Sequence, residues 1–270
     1  MASDESKKQN EKKVALITGA SSGIGRELAR LHAQRGGDLV IVARSEEKLS
    51  QLADELRKKH GCRVTVIAKD LSQPSAPKEI YEAVGAAGIA VDYLVNNAGF
   101  GGRGVFHERR WEDDLAMIQL NVVALTALTR LFLPGFVARG SGRVLNVSST
   151  ACLMPGPLQA VYFASKAFVT SFSNAIAVEL EGTGVTVTAL LPGATETEFA
   201  RVADMDKTPL FASSKNASAA DVAKAGYEGM LAGELDVRAG LTFGQKMMLA
   251  AVPLTPKRML MQQVLKLQQV

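Results

Sequence analysis

Short runs of aliphatic and β-branched residues alternate along the chain with longer stretches whose apolar positions recur at helical spacing. Residues 14–18 (VALIT), 39–43 (LVIVA), 64–68 (VTVIA), 93–95 (YLV), 143–147 (RVLNV) and 185–191 (VTVTALL) are largely apolar from end to end. Successive side chains of a strand point to opposite faces, so a strand apolar throughout must be covered on both. Between these runs, residues 24–35, 46–59, 78–87, 112–138 and 161–181 carry the i, i+3, i+4 pattern of helices with one buried face. Pro134 predicts a bend or interruption in the fourth of them. Regular alternation of strand and helix predicts a single doubly wound parallel α/β sheet with helices on both faces. Such a sheet takes its ligands beyond the carboxyl ends of its strands, so polar residues there are the first candidates for chemistry.

Composition narrows the function. A chain of 270 residues with 47% hydrophobic content can bury a large core within one domain. Its +4 formal charge is spread along the sequence, which describes a solvated surface and argues against a nucleic-acid partner. Cys62 and Cys152 stand far apart with no Cys/His cluster nearby, so neither a metal site nor a disulfide framework is expected. Free thiols and a polar first dozen residues without an apolar core segment point to the cytoplasm. No run of about 18 uninterrupted apolar residues suggests a membrane span.

Two local patterns carry chemistry. After the first strand, Thr18-Gly19-Ala20-Ser21-Ser22-Gly23-Ile24-Gly25 turns directly into a helix. Glycines there let the backbone turn sharply and approach a pyrophosphate, whose charge suits the helix N-terminus. Farther on, Tyr162 and Lys166 stand four residues apart in a predicted helix and so share a face. A nearby ammonium favours phenolate over phenol and would make a tyrosine useful in proton transfer near neutral pH.

The motif T-G-x-x-x-G-I-G, then Asn96-Asn97-Ala98-Gly99, Asn121, Ser149, Tyr162-x-x-x-Lys166 and Pro192-Gly193 follow in the order and spacing of one family. From residue 13 to about 197 the chain resembles the short-chain dehydrogenase/reductase family, which implies a Rossmann-type fold and hydride transfer. The resemblance implies that Tyr162 exchanges a proton with the substrate oxygen and that Ser149 hydrogen-bonds it, with Ser148 the lesser candidate. It further implies that Lys166 lowers the tyrosine pKa and holds the nicotinamide ribose, while Asn121 anchors a water in the proton relay. Cofactor contacts implied in the same way are Gly19, Ser21, Ser22, Gly23, Ile24, Gly25, Asp70, Leu71, Asn97, Ala98, Gly99, Pro192, Gly193 and Thr195, besides Tyr162 and Lys166. At the end of the second strand, Ala43 stands where an acid would hold an NAD ribose, and Arg44 follows it. A guanidinium there suits the 2′-phosphate of NADP(H), with NAD(H) the lesser expectation.

Together these readings describe an NADP(H)-dependent oxidoreductase that interconverts a carbonyl and a secondary alcohol. The alternative is a non-catalytic NADP-binding redox sensor or regulatory protein. Phe100, Cys152, Met154, Gln159, Met205 and Phe211 suggest an apolar substrate pocket suited to a ketone, a steroid or a 3-oxoacyl group. Residues 1–12 are expected to be a flexible polar tail and 13–243 the catalytic domain, with a substrate loop at about 194–226. Residues 244–270 form a Met- and Leu-rich amphipathic extension, broken at Pro253 and Pro256. Lid or subunit contact is its expected role, with a membrane surface less favoured. Association as a homodimer or homotetramer, through the helices bearing Asn121 and Tyr162, is implied by the family.

Overall fold

The computed structural model describes residues 12–206, 208–209 and 216–269. Strands β1 (Val14–Thr18), β2 (Asp38–Ala43), β3 (Val64–Ala68), β4 (Tyr93–Asn96), β5 (Gly142–Val147) and β6 (Val185–Pro192) form where the apolar runs predict them. Short β7 (Thr195–Glu196) and β8 (Ala217–Ser218) pair with each other, and β9 (Asp236–Ala239) completes the main sheet. That sheet has seven parallel strands in the order β3-β2-β1-β4-β5-β6-β9. Ile17 of β1 sits between Ile41 of β2 and Val95 of β4, the point at which strand order reverses.

The helices are α1 (Gly23–Gln34), α2 (Glu46–His60), α3 (Ala76–Ala86), α4 (Trp111–Ile118), α5 (Leu125–Ala138), α6 (Ala160–Glu179), α7 (Phe199–Val202), α8 (Ala219–Ala232), α9 (Phe243–Ala251) and α10 (Lys257–Gln268). One face of the sheet packs Ile17, Ile41 and Val95 against α1, α2 and α8 through Leu28, Leu49 and Met230. The other packs Leu16, Val40 and Leu94 against α3, α5 and α6 through Ile80, Leu128 and Ile176. Burying each such side chain contributes about 1.5–3 kcal/mol, so both faces hold the sheet.

Two expectations need correction. The long helical stretch is not interrupted at Pro134, which lies inside α5. It changes instead to a π-helical turn at Gln119–Ala124. Pro134 and Arg130, whose carbonyl the proline leaves without an amide partner, are both exposed, so water can serve that carbonyl. The seventh strand, β9, has no apolar run because it is an edge strand whose residues alternate between exposed and buried. By length and composition alone, the stretch Trp111–Ala138 could cross a bilayer. Here its buried residues Leu125, Leu128, Phe132 and Phe136 cover the sheet.

Candidate active site

The site grows from the end of β1. The Thr18 hydroxyl donates to the Val95 carbonyl at 3.3 Å and accepts from the amides of Asn97 and Ala98, each at 3.0 Å. The Asn97 side chain returns two bonds, to the carbonyls of Thr18 (2.9 Å) and Gly19 (3.2 Å). The turn between them is too tight for any side chain. A Cβ on Gly19 would lie 2.7 Å from Asn97 Nδ2, and one on Gly25 only 2.4 Å from that nitrogen and from the Gly19 carbonyl. Gly19 also has φ of 66°, which costs glycine little. This turn leads into α1, whose N-cap Ser22 makes no side-chain cap bond and whose first turn holds no acid. The first amides of the helix are therefore left to an anion, which the helix dipole also favours.

The neighbouring strand ends complete this half. Ala43 closes β2 as a buried residue and Arg44 beyond it is exposed, with no ion pair among the described residues. Asp70, past β3, accepts from both the amide and the hydroxyl of Ser72 (2.9 and 2.8 Å), which fixes the turn beside buried Leu71. Past β6, Thr195 bonds the Gly193 carbonyl at 2.9 Å, and Thr197 lies against Gly23. Glu198 reaches Lys48 at 3.2 Å and hydrogen-bonds Ser22, which holds its carboxyl below the usual range. Glycine turn, uncapped helix and exposed guanidinium fit an adenine dinucleotide laid across the switch point.

The polar cluster gathers from three elements. The π turn carries Asn121, which is buried and clamps the Phe100 backbone: its Oδ1 accepts from the amide (3.2 Å) and its Nδ2 donates to the carbonyl (2.9 Å). A π turn adds one residue to the helical register, which is a recurrent way of redirecting a side chain at a site. Nδ2 also donates to Ser165 Oγ at 3.1 Å, and that hydroxyl bonds the Tyr162 carbonyl at 2.7 Å. Beyond β5, Ser149 caps a short 3₁₀ turn by accepting from the Ala151 amide at 3.1 Å. Ser148 is already engaged by the Lys166 carbonyl (2.9 Å) and the Thr170 hydroxyl (2.7 Å), which leaves Ser149 as the serine that faces Tyr162.

Tyr162 and Lys166 share a face of α6, with the Lys166 ammonium 5.8 Å from the tyrosine ring centre. The expected depression of the tyrosine pKa does not occur. Burial pushes the Tyr162 phenol up to about 12, and a hydrogen bond from Ser149 only partly opposes it. The same burial pushes Lys166 down to about 8, and its ammonium donates to the Val147 carbonyl at 2.9 Å. Loss of water disfavours the charged form of each group and is the leading cause of both shifts.

The Lys166 shift makes a stability prediction. Between pH 8 and 10.5 the unfolded chain holds a proton that folded Lys166 has released, so the contribution of Lys166 to stability rises with pH across that window. It does so against the falling contributions of Cys62, Cys152, Tyr162 and Tyr227, whose pKa values burial raises. Lys166→Met should therefore lower the slope of the urea midpoint against pH between pH 8 and 10.5. An unchanged slope in the variant would remove Lys166 as a contributor.

Beside Tyr162, where the sequence predicts the substrate pocket, apolar residues gather. Phe100, Met117, Met154, Tyr162 and Phe163 form one cluster with Phe199 of α7 and with Leu260 and Val264 of α10. Cys152 is half-buried with its thiol pushed up by burial, which suits a wall and not a nucleophile. Gln159 and Met205 are buried and in contact with each other through Nε2 and Sδ. They therefore brace the loop through that contact. Phe211 lies outside the described residues. Arg103 bonds the Asp204 carbonyl (2.8 Å) and carboxylate (3.0 Å), tying the loop after β4 to the one after β6. Arg109, paired with buried Asp114 at 2.8 Å, fills the space that glycines 102 and 104 leave open.

Sequence reasoning missed Phe199, Ser165, Leu260 and Val264. The Phe199 ring centre lies 5.2 Å from that of Tyr162, and a Cβ on Gly101 would sit 2.8 Å from the Phe199 Cζ. Its only signal in the sequence is an aromatic residue shortly after Pro192-Gly193. Phe199→Ala should raise KM for apolar substrates by about tenfold, the value of one apolar ring contact, and leave cofactor affinity unchanged. Steady-state kinetics would check this, and an unchanged KM across substrates would take Phe199 out of the wall.

A family model described as short chain dehydrogenase matches residues 13–208. A very-long-chain 3-oxoacyl-CoA reductase of Anas platyrhynchos is 33% identical over 198 residues, covering 70% of this chain and 61% of its own length. A structure of a short-chain dehydrogenase from Sphingobium yanoikuyae in complex with NADPH superposes with a TM-score of 0.80 at 31% identity, covering 96% of this chain and 98% of that one. A 7beta-hydroxysteroid dehydrogenase structure gives a TM-score of 0.84 at 29% identity, with 95% and 98% covered.

Proposed function

This chain belongs to the short chain dehydrogenase family, and from that membership and the geometry of its site we propose that it is an NADP(H)-dependent reductase of apolar carbonyl compounds. The observation that carries this reading is the convergence of Asn121, Ser149, Tyr162 and Lys166 beside the glycine turn, under an apolar wall. The nicotinamide, when bound, supplies the hydride that reaches the carbonyl carbon. Tyr162 gives its phenolic proton to the carbonyl oxygen, which completes a secondary alcohol. A tyrosine with its pKa near 12 holds that proton at neutral pH, which suits the reducing direction. Ser149 donates a hydrogen bond to the same oxygen as its charge develops. Lys166, near its own pKa of about 8, is poised to return a proton to Tyr162, and Asn121 holds the backbone beside it.

Arg44 supports NADPH as the partner, since no acid closes β2 and the guanidinium is exposed. The wall of Phe100, Met154 and Phe199 supports a ketone, a steroid or a 3-oxoacyl group as substrate. Exposed Trp111, Leu115, Val123, Phe168 and Val178 on α4 to α6 support self-association through that face. The test is NADPH and NADH oxidation, followed in parallel against hydroxysteroid-derived ketones, aromatic ketones and 3-oxoacyl thioesters. Fast oxidation of NADPH by one class, with NADH much slower, is the expected result. No turnover alongside tight NADPH binding would favour the sensor reading.

A further inference from the structure

Helix α10 turns Leu260 and Val264 inward onto the cluster around Tyr162, but α9 buries only Leu249. Its remaining apolar residues point to solvent. Phe243 is 79% exposed and Leu254, just past the helix, 88% exposed, with Met247 and Met248 also exposed between them. Phe243 and Met247 stand one helical turn apart and so share a face. A row of large apolar side chains left in water marks a contact surface.

The charge along this segment of the chain is one-sided. Residues 237–270 contain Arg238, Lys246, Lys257, Arg258 and Lys266 and no aspartate or glutamate, in a chain whose whole formal charge is +4. Lys246, Lys257, Arg258 and Lys266 are exposed and make no ion pair among the described residues. We propose that the α9–α10 surface docks on an anionic lipid bilayer, with Phe243, Met247 and Leu254 entering the headgroup boundary and the four cations facing lipid phosphates. Protruding apolar side chains edged by lysine and arginine are the makeup of a segment that lies in the membrane interface. A symmetric pairing of two copies through this face would bring together two patches of the same charge sign. Self-association has a separate apolar face on α4 to α6. The docking surface stands whichever carbonyl the site reduces.

The test is cosedimentation of the full chain with phosphatidylcholine vesicles, with and without phosphatidylglycerol. The protein should pellet with the phosphatidylglycerol vesicles and be released by salt. The triple variant Lys246→Gln/Lys257→Gln/Arg258→Gln should weaken partitioning by on the order of a hundredfold. Phe243→Ser/Leu254→Ser should release the protein at unchanged charge, while both variants still bind NADPH and so report an intact fold. Failure to pellet, equal binding to neutral vesicles, or parent-like binding by either variant would overturn the proposal. So would light scattering that shows the Phe243→Ser/Leu254→Ser variant dissociating from a larger assembly, which would assign the face to a second copy.

Discussion

Tyr162→Phe should abolish carbonyl reduction while NADPH still binds. The substitution removes one hydroxyl and keeps the ring, so the packing against Phe199 (5.2 Å between centres) and Phe163 (6.1 Å) persists. What is lost is the proton donor at the substrate oxygen, worth roughly a hundred- to ten-thousandfold in rate for general acid catalysis. Ser149 retains its backbone partner, the Ala151 amide, but a serine hydroxyl is a far weaker acid than a phenol and cannot substitute. Folding should be nearly unaffected, since only one neutral hydrogen bond of about 1 kcal/mol disappears. Turnover by absorbance and NADPH affinity by fluorescence separate the two effects. Turnover within a few-fold of the parent would exclude Tyr162 from the mechanism, while loss of both activity and binding would point to a disturbed fold.

Arg44→Asp should invert the choice of cofactor. Arg44 is exposed just beyond β2, so its replacement leaves the buried run from Asp38 to Ala43 untouched. A guanidinium can pair with a phosphate through two parallel hydrogen bonds, and a bond to a charged group contributes about 1.5–3 kcal/mol. The aspartate removes that pairing, repels the 2′-phosphate and accepts from the ribose hydroxyls of NADH instead. The ratio of kcat/KM for NADPH to that for NADH should therefore fall by at least roughly a hundredfold, which is two factors of ten at 1.4 kcal/mol each. An unchanged ratio would mean that Arg44 does not hold the phosphate.

Much of this molecule could be read before it was folded. Val14–Thr18 and Val185–Pro192 are largely apolar and buried along their length, and a backbone covered on both faces has few ways to be buried other than in the centre of a sheet. Gly19 and Gly25 were legible because no other residue leaves room for Asn97. Tyr162 and Lys166 were legible because helical spacing alone puts them on one face. The edge strand Asp236–Ala239 was not, since only half its residues are buried and its alternation is short. Nor was the π turn at Asn121, whose register is set by the Phe100 backbone twenty-one residues away in sequence.

The sequence by itself determined six of the strands with the helices between them and the tight glycine turn, because these follow from local spacing and from the size of single residues. Asn121, Ser149, Tyr162 and Lys166 were picked out together by the family resemblance. Only the tertiary structure decided that burial dominates the shifts at Tyr162 and Lys166, that Phe199 and α10 pack on the cluster around Tyr162, and that α9 faces water. Those properties depend on how much solvent each group loses and on which distant segment displaces it, and neither is written in the spacing of residues along a chain.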